Sequence, residues 1–502
     1  MNNKNDLRVV FFVGASIYGA HCLGCKGAMN RRPYARLGFC HADLPSPPKI
    51  NTMFLMTKAN TSTPSGFPEL EPKFEIVRQN WIRTITSIFE KNGFLPIETP
   101  LVERAENLVA KGGNPKEIYV LDRLLNEEVG NKKTALRFDH TVPLALFVAR
   151  HQNEIAFPFR RYAIGPVFRG ERAQKGRFRQ FDQCDIDVIG SEDLPVFYDA
   201  EVAAIAIQIF RKLLPLNEFF VRINNRKILT GFFSSLGISD AQIMTVIKIV
   251  DDLEKLSKDD ILARFADEKI EKPVAEKVLE FTEISGTNAE ILKKLKTVSE
   301  DTNFLSAVDE LQTVIEALEA MGIEEKYFRV DLKIARGLDY YTGTVFETTL
   351  VGHEDLGSIC SGGRYDDLAS VFTNKQMPGV GISIGLSRLL SQLFDADIVK
   401  SEKSSPTQVL IFSAELDFNN PKIAKTIFSA AEVLREKFST QIYFEPKKIA
   451  KKFEYAEKIG AQFCAIVGEV EAEKGMVTIK NLKSGEKFTA SIKDALAMIN
   501  NQ

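Results

Sequence analysis

Apolar residues recur at helical spacing between residues 71 and 92, at Phe74, Ile76, Val77, Trp81, Ile82, Ile85, Ile88 and Phe89, and Gly93 stands where such a helix would end. The segment GFLPIETPLVE (93–103) follows, and its Pro100 suits a sheet edge or an interface better than a central strand. Strand-like runs recur at 134–138, 159–168, 184–189, 328–334, 343–350 and 379–384, which predicts an antiparallel sheet with helices around it. Between them, residues 238–325 carry Lys, Glu, Leu and Ile at helical spacing and read as an inserted helical domain. After Ser401 and a polar linker, QVLIFSA, a helix over residues 422–438, QIYFE, a helix over 447–459, FCAIVG and MVTIKNL alternate strand with helix. That order predicts a small, largely parallel sheet with right-handed crossovers.

Length and charge narrow this picture only a little. A chain of 502 residues suggests roughly three domains. With 44% hydrophobic and 26% charged residues it has ample material for a core, and no apolar run reaches the length of a membrane span. A formal charge of −2 excludes nucleic-acid binding by net charge but not by a local basic face. Six widely spaced cysteines form no disulfide framework; Cys184, Cys360 and Cys464 read as small buried residues in a reducing compartment. Residues 1–52 differ, with seven Lys or Arg against two acids and an apolar run from Val9 to Ala20. They read either as a targeting presequence or as residues upstream of a start at Met53 or Met56. His21, Cys22, Cys25, Cys40 and His41 within them have a spacing that fits no usual pair of zinc-ligand hairpins.

Two blocks carry candidate chemistry. RGLDYYTGTVFE, from Arg336 to Glu347, sets a cation, a carboxylate and two adjacent phenols on a strand-like stretch, so alternation gives Tyr340 and Tyr341 opposite faces and different roles. GPVFRGERAQKGRFRQFDQCDIDVIG, from Gly165 to Gly190, reads as a hairpin whose loop holds Arg169, Arg172, Lys175, Arg177 and Arg179 around Glu171. Guanidinium groups at that density suit a polyphosphate such as a nucleoside triphosphate. The second arm puts Gln183, Asp185 and Asp187 on one face. A third, weaker signal is the basic run Lys447, Lys448, Lys451 and Lys452, either a solvated helix face or a phosphate-binding surface.

These blocks, with SGGRYDDL (361–368), INNRKILTG near 223, PGVGISIGLSRLL and EPKKIAKKFEYA near 445, resemble histidyl-tRNA synthetase, a class II aminoacyl-tRNA synthetase. The resemblance implies an α+β catalytic core (an antiparallel sheet flanked by helices) over residues 53–400, with a helical insertion at about 238–325. It also implies a C-terminal α/β anticodon-binding domain over 406–502, leaving residues 1–52 as an extension. It implies activation of L-histidine with ATP and transfer to tRNA(His), with Mg2+ accompanying ATP and no metal held by the protein itself. Arg169 would hold the α-phosphate, Glu171 the adenine amino group, Phe181 the adenine ring, and Arg177 and Arg388 the outer phosphates. Asp139, His140, Thr141, Gln183 and Asp187 would bind or line the histidine site, Tyr340, Tyr341 and Tyr365 would surround the imidazole, and Arg169 and Arg336 would be the catalytic cations beside the reacting carboxylate. A homodimer through residues 93–103 and a cytoplasmic location are implied too, or a mitochondrion or plastid if residues 1–52 are a presequence. The alternatives are a catalytically silent regulatory paralogue of histidine biosynthesis and another class II synthetase. Departures from the family pattern are Ser387, where an acid usually precedes the arginine and whose absence leaves Arg388 without a local carboxylate, Ala173 and Gly170, which predict a looser loop, and Asp367.

Overall fold

The computed structural model describes residues 61–109, 115–122, 133–174, 176–253, 255–335, 341–366, 369–401, 404–416 and 418–500. Its first helix, α1 (Pro72–Lys91), opens with a proline, whose missing N–H would have no helical partner there, and buries Trp81, Ile85, Ile88 and Phe89. Gly93 then takes φ +78°, the left-handed turn that ends a helix at low steric cost. β1 (Leu95–Pro96), β2 (Val102–Arg104), α2 (Ala105–Val109), β3 (Val120–Leu121), β4 (Thr134–Leu136) and α3 (Thr141–His151) follow. Next come the long hairpin β5 (Phe159–Phe168) and β6 (Gln180–Ile189), α4 (Phe197–Leu213) and β7 (Phe219–Asn225).

Six helices separate β7 from the last strands of the main sheet: α5 (Arg226–Ser235), α6 (Asp240–Asp251), α7 (Lys258–Asp267), α8 (Lys272–Thr282), α9 (Asn288–Leu295) and α10 (Thr302–Ala320). Ser239 with Gln242 and Thr287 with Glu290 form capping boxes, and Ser257 and Asp301 accept backbone N–H bonds at two more helix starts, so the insertion's punctuation is written in its sequence. The insertion does not have a core of its own. Phe281 stacks on Phe232 at 3.9 Å, and Leu311, Val314 and Leu318 join the same apolar cluster as Ile205, Ile209 and Phe210 of α4.

β8 (Phe328–Val330), β9 (Thr344–Leu350), β10 (Cys360–Tyr365), β11 (Gly379–Gly385) and α11 (Leu386–Asp395) complete the core. The main sheet runs β1-β5-β6-β11-β10-β9-β7-β8, antiparallel except at its two edge pairs. β2, β4 and β3 form a small separate sheet. Apolar alternation located most of these strands. It missed β7, which buries Arg222, Asn224 and Asn225, and β10, whose sequence CSGGRY holds two glycines. RGLDYYTGTVFE is a strand only from Thr344; residues 336–340 lie outside the described ones.

The C-terminal unit comprises β12 (Val409–Ser413), α12 (Pro421–Arg435), β13 (Thr440–Tyr443), α13 (Ile449–Ile459), β14 (Phe463–Val467), α14 (Glu469–Lys474), β15 (Met476–Asn481), β16 (Lys487–Ser491) and α15 (Ile492–Asn500). Its order is β13-β12-β14-β15-β16, and only the first three strands are parallel. The last two return as an antiparallel hairpin, which makes the sheet mixed rather than largely parallel. Of the basic run on α13, Lys452 is a buried structural residue: its ammonium donates to the carbonyls of Ser413 (2.9 Å) and Glu415 (2.7 Å). Among the described residues, no helix is long and apolar enough to cross a membrane.

Lys452→Met keeps the length of that side chain but leaves both carbonyls without their donor. It is expected to cost about 1–3 kcal/mol, read as a lower urea midpoint of the C-terminal unit.

Candidate active site

Strand registers bring the chemistry to one face of the main sheet. Arg161 lies opposite Asp187 across β5 and β6; on the other side of β6, Asp187 lies opposite Gly381, Asp185 opposite Ser383 and Gln183 opposite Gly385. The alternate residues Cys184, Ile186 and Val188 point into the helical core, so the same strand is apolar on one side and acidic on the other. Gly381 is required by this arrangement, because a Cβ there would stand 2.3 Å from Asp187 Oδ1. A cavity of about 820 Å³ opens on the polar face, lined among others by Asp139, Thr141, Arg169, Gln183, Asp185, Asp187, Tyr341, Tyr365 and Arg388.

One end of the cavity is acidic. Asp187 is held twice, by the Tyr365 hydroxyl (2.8 Å) and by Arg161, whose Nη2 is 2.5 Å from Oδ2. Asp139 caps α3 by accepting the Val142 N–H through Oδ1. Asp139 Oδ2, Asp185 Oδ1 and Gln183 Oε1 are buried acceptors with no hydrogen-bond donor among the described residues. Burial pushes the Asp185 carboxyl up to about 7 and that of Asp187 to about 6, against the pull of Arg161, and raises Asp139 as well. Three buried carboxyls thus share the fully buried guanidinium of Arg161. Arg161 Nε and Nη1 are buried donors in the same region with no hydrogen-bond partner among the described residues, so the site offers donors as well as acceptors, and the three open acceptors suit a cation carrying several N–H donors.

The other end is basic. The β5–β6 loop carries Arg169, whose Nε donates to the Phe138 carbonyl, and Arg177, which pairs with Glu171. Arg388 on α11 also binds Glu171 (2.5 Å) and lies 3.7 Å from the centre of the Phe181 ring. Arg388 therefore does have a carboxylate, supplied by the loop rather than by its own helix. Burial lifts the Glu171 carboxyl, but the two arginines outweigh it and hold the group below its ordinary value. Ser387 has a task of its own. It donates to Asp182 Oδ2 (2.8 Å) and accepts the Asp182 N–H (3.1 Å), while Arg78 of α1 pairs with the same carboxylate oxygen at 2.8 Å. Asp182 and Ser387 are the immediate neighbours of Phe181 and Arg388, so their bond ties together the strand and helix that carry the stacked pair. Gly170 donates its N–H to the Glu117 carbonyl at 2.7 Å, and a Cβ would come within 3.1 Å of that oxygen. It serves a close backbone approach.

Of the residues singled out from sequence, Asp139, Thr141, Arg169, Arg177, Phe181, Gln183, Asp187, Tyr341, Tyr365 and Arg388 line this one cavity. Glu171 stands beside it, bound to two of its arginines. His140 does not line it: the ring is buried behind the site with Nε2 3.2 Å from the Gly165 carbonyl, and burial lowers its pKa to about 3. Arg336 and Tyr340 lie outside the described residues. Sequence reasoning placed Asp185 on the right face without assigning it to the site, and missed Arg161 and Ser383. Strand alternation already carried the signal for Asp185. Arg161 emerges only from the register of β5 on β6.

A model of the histidyl-tRNA synthetase family matches residues 66–389, and one of an anticodon-binding domain matches residues 408–502. The chain belongs to the histidyl-tRNA synthetase family. A histidine–tRNA ligase of Trichormus variabilis is 45% identical over 453 residues, 87% of this chain and 97% of that protein. One of Clostridium tetani is 41% identical over 440 residues, with the same two coverages. The crystal structure of histidyl-tRNA synthetase from Nostoc sp. PCC 7120 superposes with a TM-score of 0.80 at 43% identity, covering 88% of this chain and all of that one. A Bacillus halodurans protein described as an ATP phosphoribosyltransferase regulatory subunit/histidyl-tRNA synthetase covers 82% of this chain and 99% of its own, at a TM-score of 0.66 and 20% identity, and shares the fold.

Two variants test how the synthetase is built. The folded chain holds the Asp185 proton more tightly than the unfolded chain does, at about 7 against an ordinary 3.8. Its ionisation therefore removes stability progressively as pH rises from about 4 to about 7. Asp185→Asn is expected to raise the Tm of the ligand-free chain at pH 8 more than at pH 5, while histidine-dependent pyrophosphate exchange falls at least roughly tenfold. Ser387→Glu sets a second carboxylate against Asp182 and is expected to lower Tm and raise the KM for ATP. Adding Asp182→Asn should restore much of both, and a double-mutant cycle measures the coupling.

Proposed function

We propose the following division of labour for the activity that family membership gives this chain, the ATP-dependent joining of L-histidine to tRNA(His). The α-ammonium of histidine lies among Asp139 Oδ2, Asp185 Oδ1 and Gln183 Oε1; the lack of any donor to these three buried acceptors among the described residues is the observation that carries the reading. The imidazole lies towards Tyr341 and Tyr365, with Tyr340 as its third neighbour. This leaves the carboxylate directed at the basic end, where Arg169 holds the α-phosphate and Arg177 and Arg388 meet the outer phosphates. Adenine packs on Phe181 with its amino group at Glu171. Since Arg388 lies 3.7 Å from that ring, the guanidinium moves away as the base enters, and phosphate oxygens replace Glu171 as its partner.

The histidine carboxylate oxygen attacks the α-phosphorus, the bond to the bridging oxygen breaks, and pyrophosphate leaves. The terminal ribose hydroxyl of the tRNA then attacks the adenylate carbonyl, loses its proton and expels AMP. Neither step needs a protein nucleophile. Rate enhancement comes from positioning and from the fixed positive charge of Arg169 and Arg336. Mg2+ bound to the triphosphate would add positive charge at the phosphate oxygens.

The exposed apolar residues Leu95, Leu101, Val102, Val109, Val120 and Leu121 crowd the segment 93–121, a surface that pairing of two copies into a homodimer would cover. The C-terminal unit binds the anticodon arm. The enzyme works in the cytoplasm, or in an organelle if residues 1–52 are a presequence; a chain beginning at Met53 should fold and charge tRNA normally.

Pyrophosphate exchange measured with each standard amino acid should respond to histidine alone; exchange with a different amino acid, or with none, contradicts the reading. Arg336→Ala should lower that exchange by roughly 100-fold, and Arg336→Lys should recover only part of it, because an ammonium lacks the planar fork. Sedimentation should show a dimer, and a fully active monomer would remove the homodimer from the account.

A further inference from the structure

β11 reads GVGISIG, so Ser383 is its single polar side chain. Ile382 and Ile384 on either side of it belong to the helical core, and alternation turns Ser383 to the opposite face, where it lines the cavity. Across the ladder it stands opposite Asp185, with Gln183 two residues earlier on the same face of β6. Its hydroxyl oxygen accepts a hydrogen bond from Gln183 Nε2 at 2.7 Å. The same hydroxyl hydrogen-bonds the Asp185 carboxyl, where it works against the burial that lifts that group. Gln183 Oε1 and Asp185 Oδ1 are left as buried acceptors with no donor among the described residues.

The direction of this relay follows from counting protons. A serine hydroxyl has one proton and two lone pairs, and an ionised carboxylate can only accept. With the proton given to Asp185, Ser383 has only lone pairs to offer Gln183, so the amide presents its NH2 to the serine and its carbonyl oxygen to the cavity. The two ends of an amide have nearly the same shape, and hydrogen-bond partners alone choose between them. Here the choice has a consequence. Turned the other way, Gln183 would give an N–H to the neighbouring carboxyls, fill an acceptor that a ligand could use, and set a donor against an incoming ammonium. Gly385, opposite Gln183 in the register, has no side chain to make the choice instead.

We infer that Ser383 is a positioning residue: by donating to Asp185 and accepting from Gln183 it turns the Gln183 carbonyl oxygen towards the α-ammonium of histidine, and so gives the site its preference for an amino acid over an acid without the amine. This rests on the reading of the acidic end as the ammonium site, and assigns the polarity of that site to a side chain that acts through its neighbours. The test compares three ligands by calorimetry: L-histidine, L-histidinol, which keeps the ammonium and lacks the carboxylate, and imidazolepropionate, which keeps the carboxylate and lacks the ammonium. Ser383→Ala should weaken binding of the first two by roughly 10-fold, the scale of one hydrogen bond to a charged group, and leave imidazolepropionate unchanged. In pyrophosphate exchange the same variant should raise the KM for histidine while kcat and the KM for ATP hold. Adding Ser383→Ala to Gln183→Met should cost less than it does alone, because no amide is left to turn. An equal weakening of all three ligands, an equal cost in both backgrounds, or an alanine variant that binds histidine as the unaltered enzyme does would each overturn the role of Ser383. An unaltered enzyme that binds histidine no more tightly than imidazolepropionate would instead overturn the ammonium site itself, and the role of Ser383 with it.

Discussion

Arg161 is the charge on which the catalytic face depends. It is fully buried, it meets Asp187 directly across two neighbouring strands, and Asp139 and Asp185 lie within its field. One guanidinium cannot compensate three buried carboxyls, and the imbalance shows in the raised proton affinities of Asp185 and Asp187. The ligand-free site is therefore under electrostatic strain that a cation with several donors relieves. Without Arg161 the acids would be neutral near pH 7 and the site would lose its preference for an ammonium; with a second buried arginine they would be satisfied and have nothing to offer one.

The basic end follows the opposite logic. Arg177 and Arg388 share Glu171, and Arg388 rests on the Phe181 ring, so the groups that would face a triphosphate are held by internal substitutes. Their scaffold is rigid because the neighbouring residues, Asp182 and Ser387, bond to each other and to Arg78. Ser387, where the family pattern has an acid, bonds the Asp182 carboxylate of β6, while the carboxylate that Arg388 meets is Glu171 of the β5–β6 loop. An unsatisfied acidic pocket and a provisionally neutralised basic one lie in a single cavity, an arrangement suited to directing a zwitterion towards a polyphosphate.

Much of this was legible in the sequence for a physical reason. Alternation along β6 puts Gln183, Asp185 and Asp187 on one face whatever the fold, and caps at Ser239, Ser257, Thr287 and Asp301 announce the insertion helices. What stayed hidden depends on register and on distance along the chain. The partner of Arg388 comes from a loop far earlier in the chain, Arg161 finds Asp187 only after β5 and β6 pair, and the buried role of Lys452 cannot be told from that of its exposed neighbour Lys451. The polar strand β7 and the glycine-bearing β10 defeated a reading based on apolar alternation, and both lie in the part of the sheet that supports the site.

In the proposed ammonium site at the acidic end, the carboxyls should give up protons when the cation arrives. Calorimetry at pH 6.5, in buffers of different ionisation enthalpy, can count those protons for L-histidine and for its analogue lacking the α-amino group. L-histidine should bind at least roughly 100-fold more tightly, the scale of a desolvated charge pair, and release more protons than the analogue. Equal affinity and equal proton release for the two compounds would contradict it.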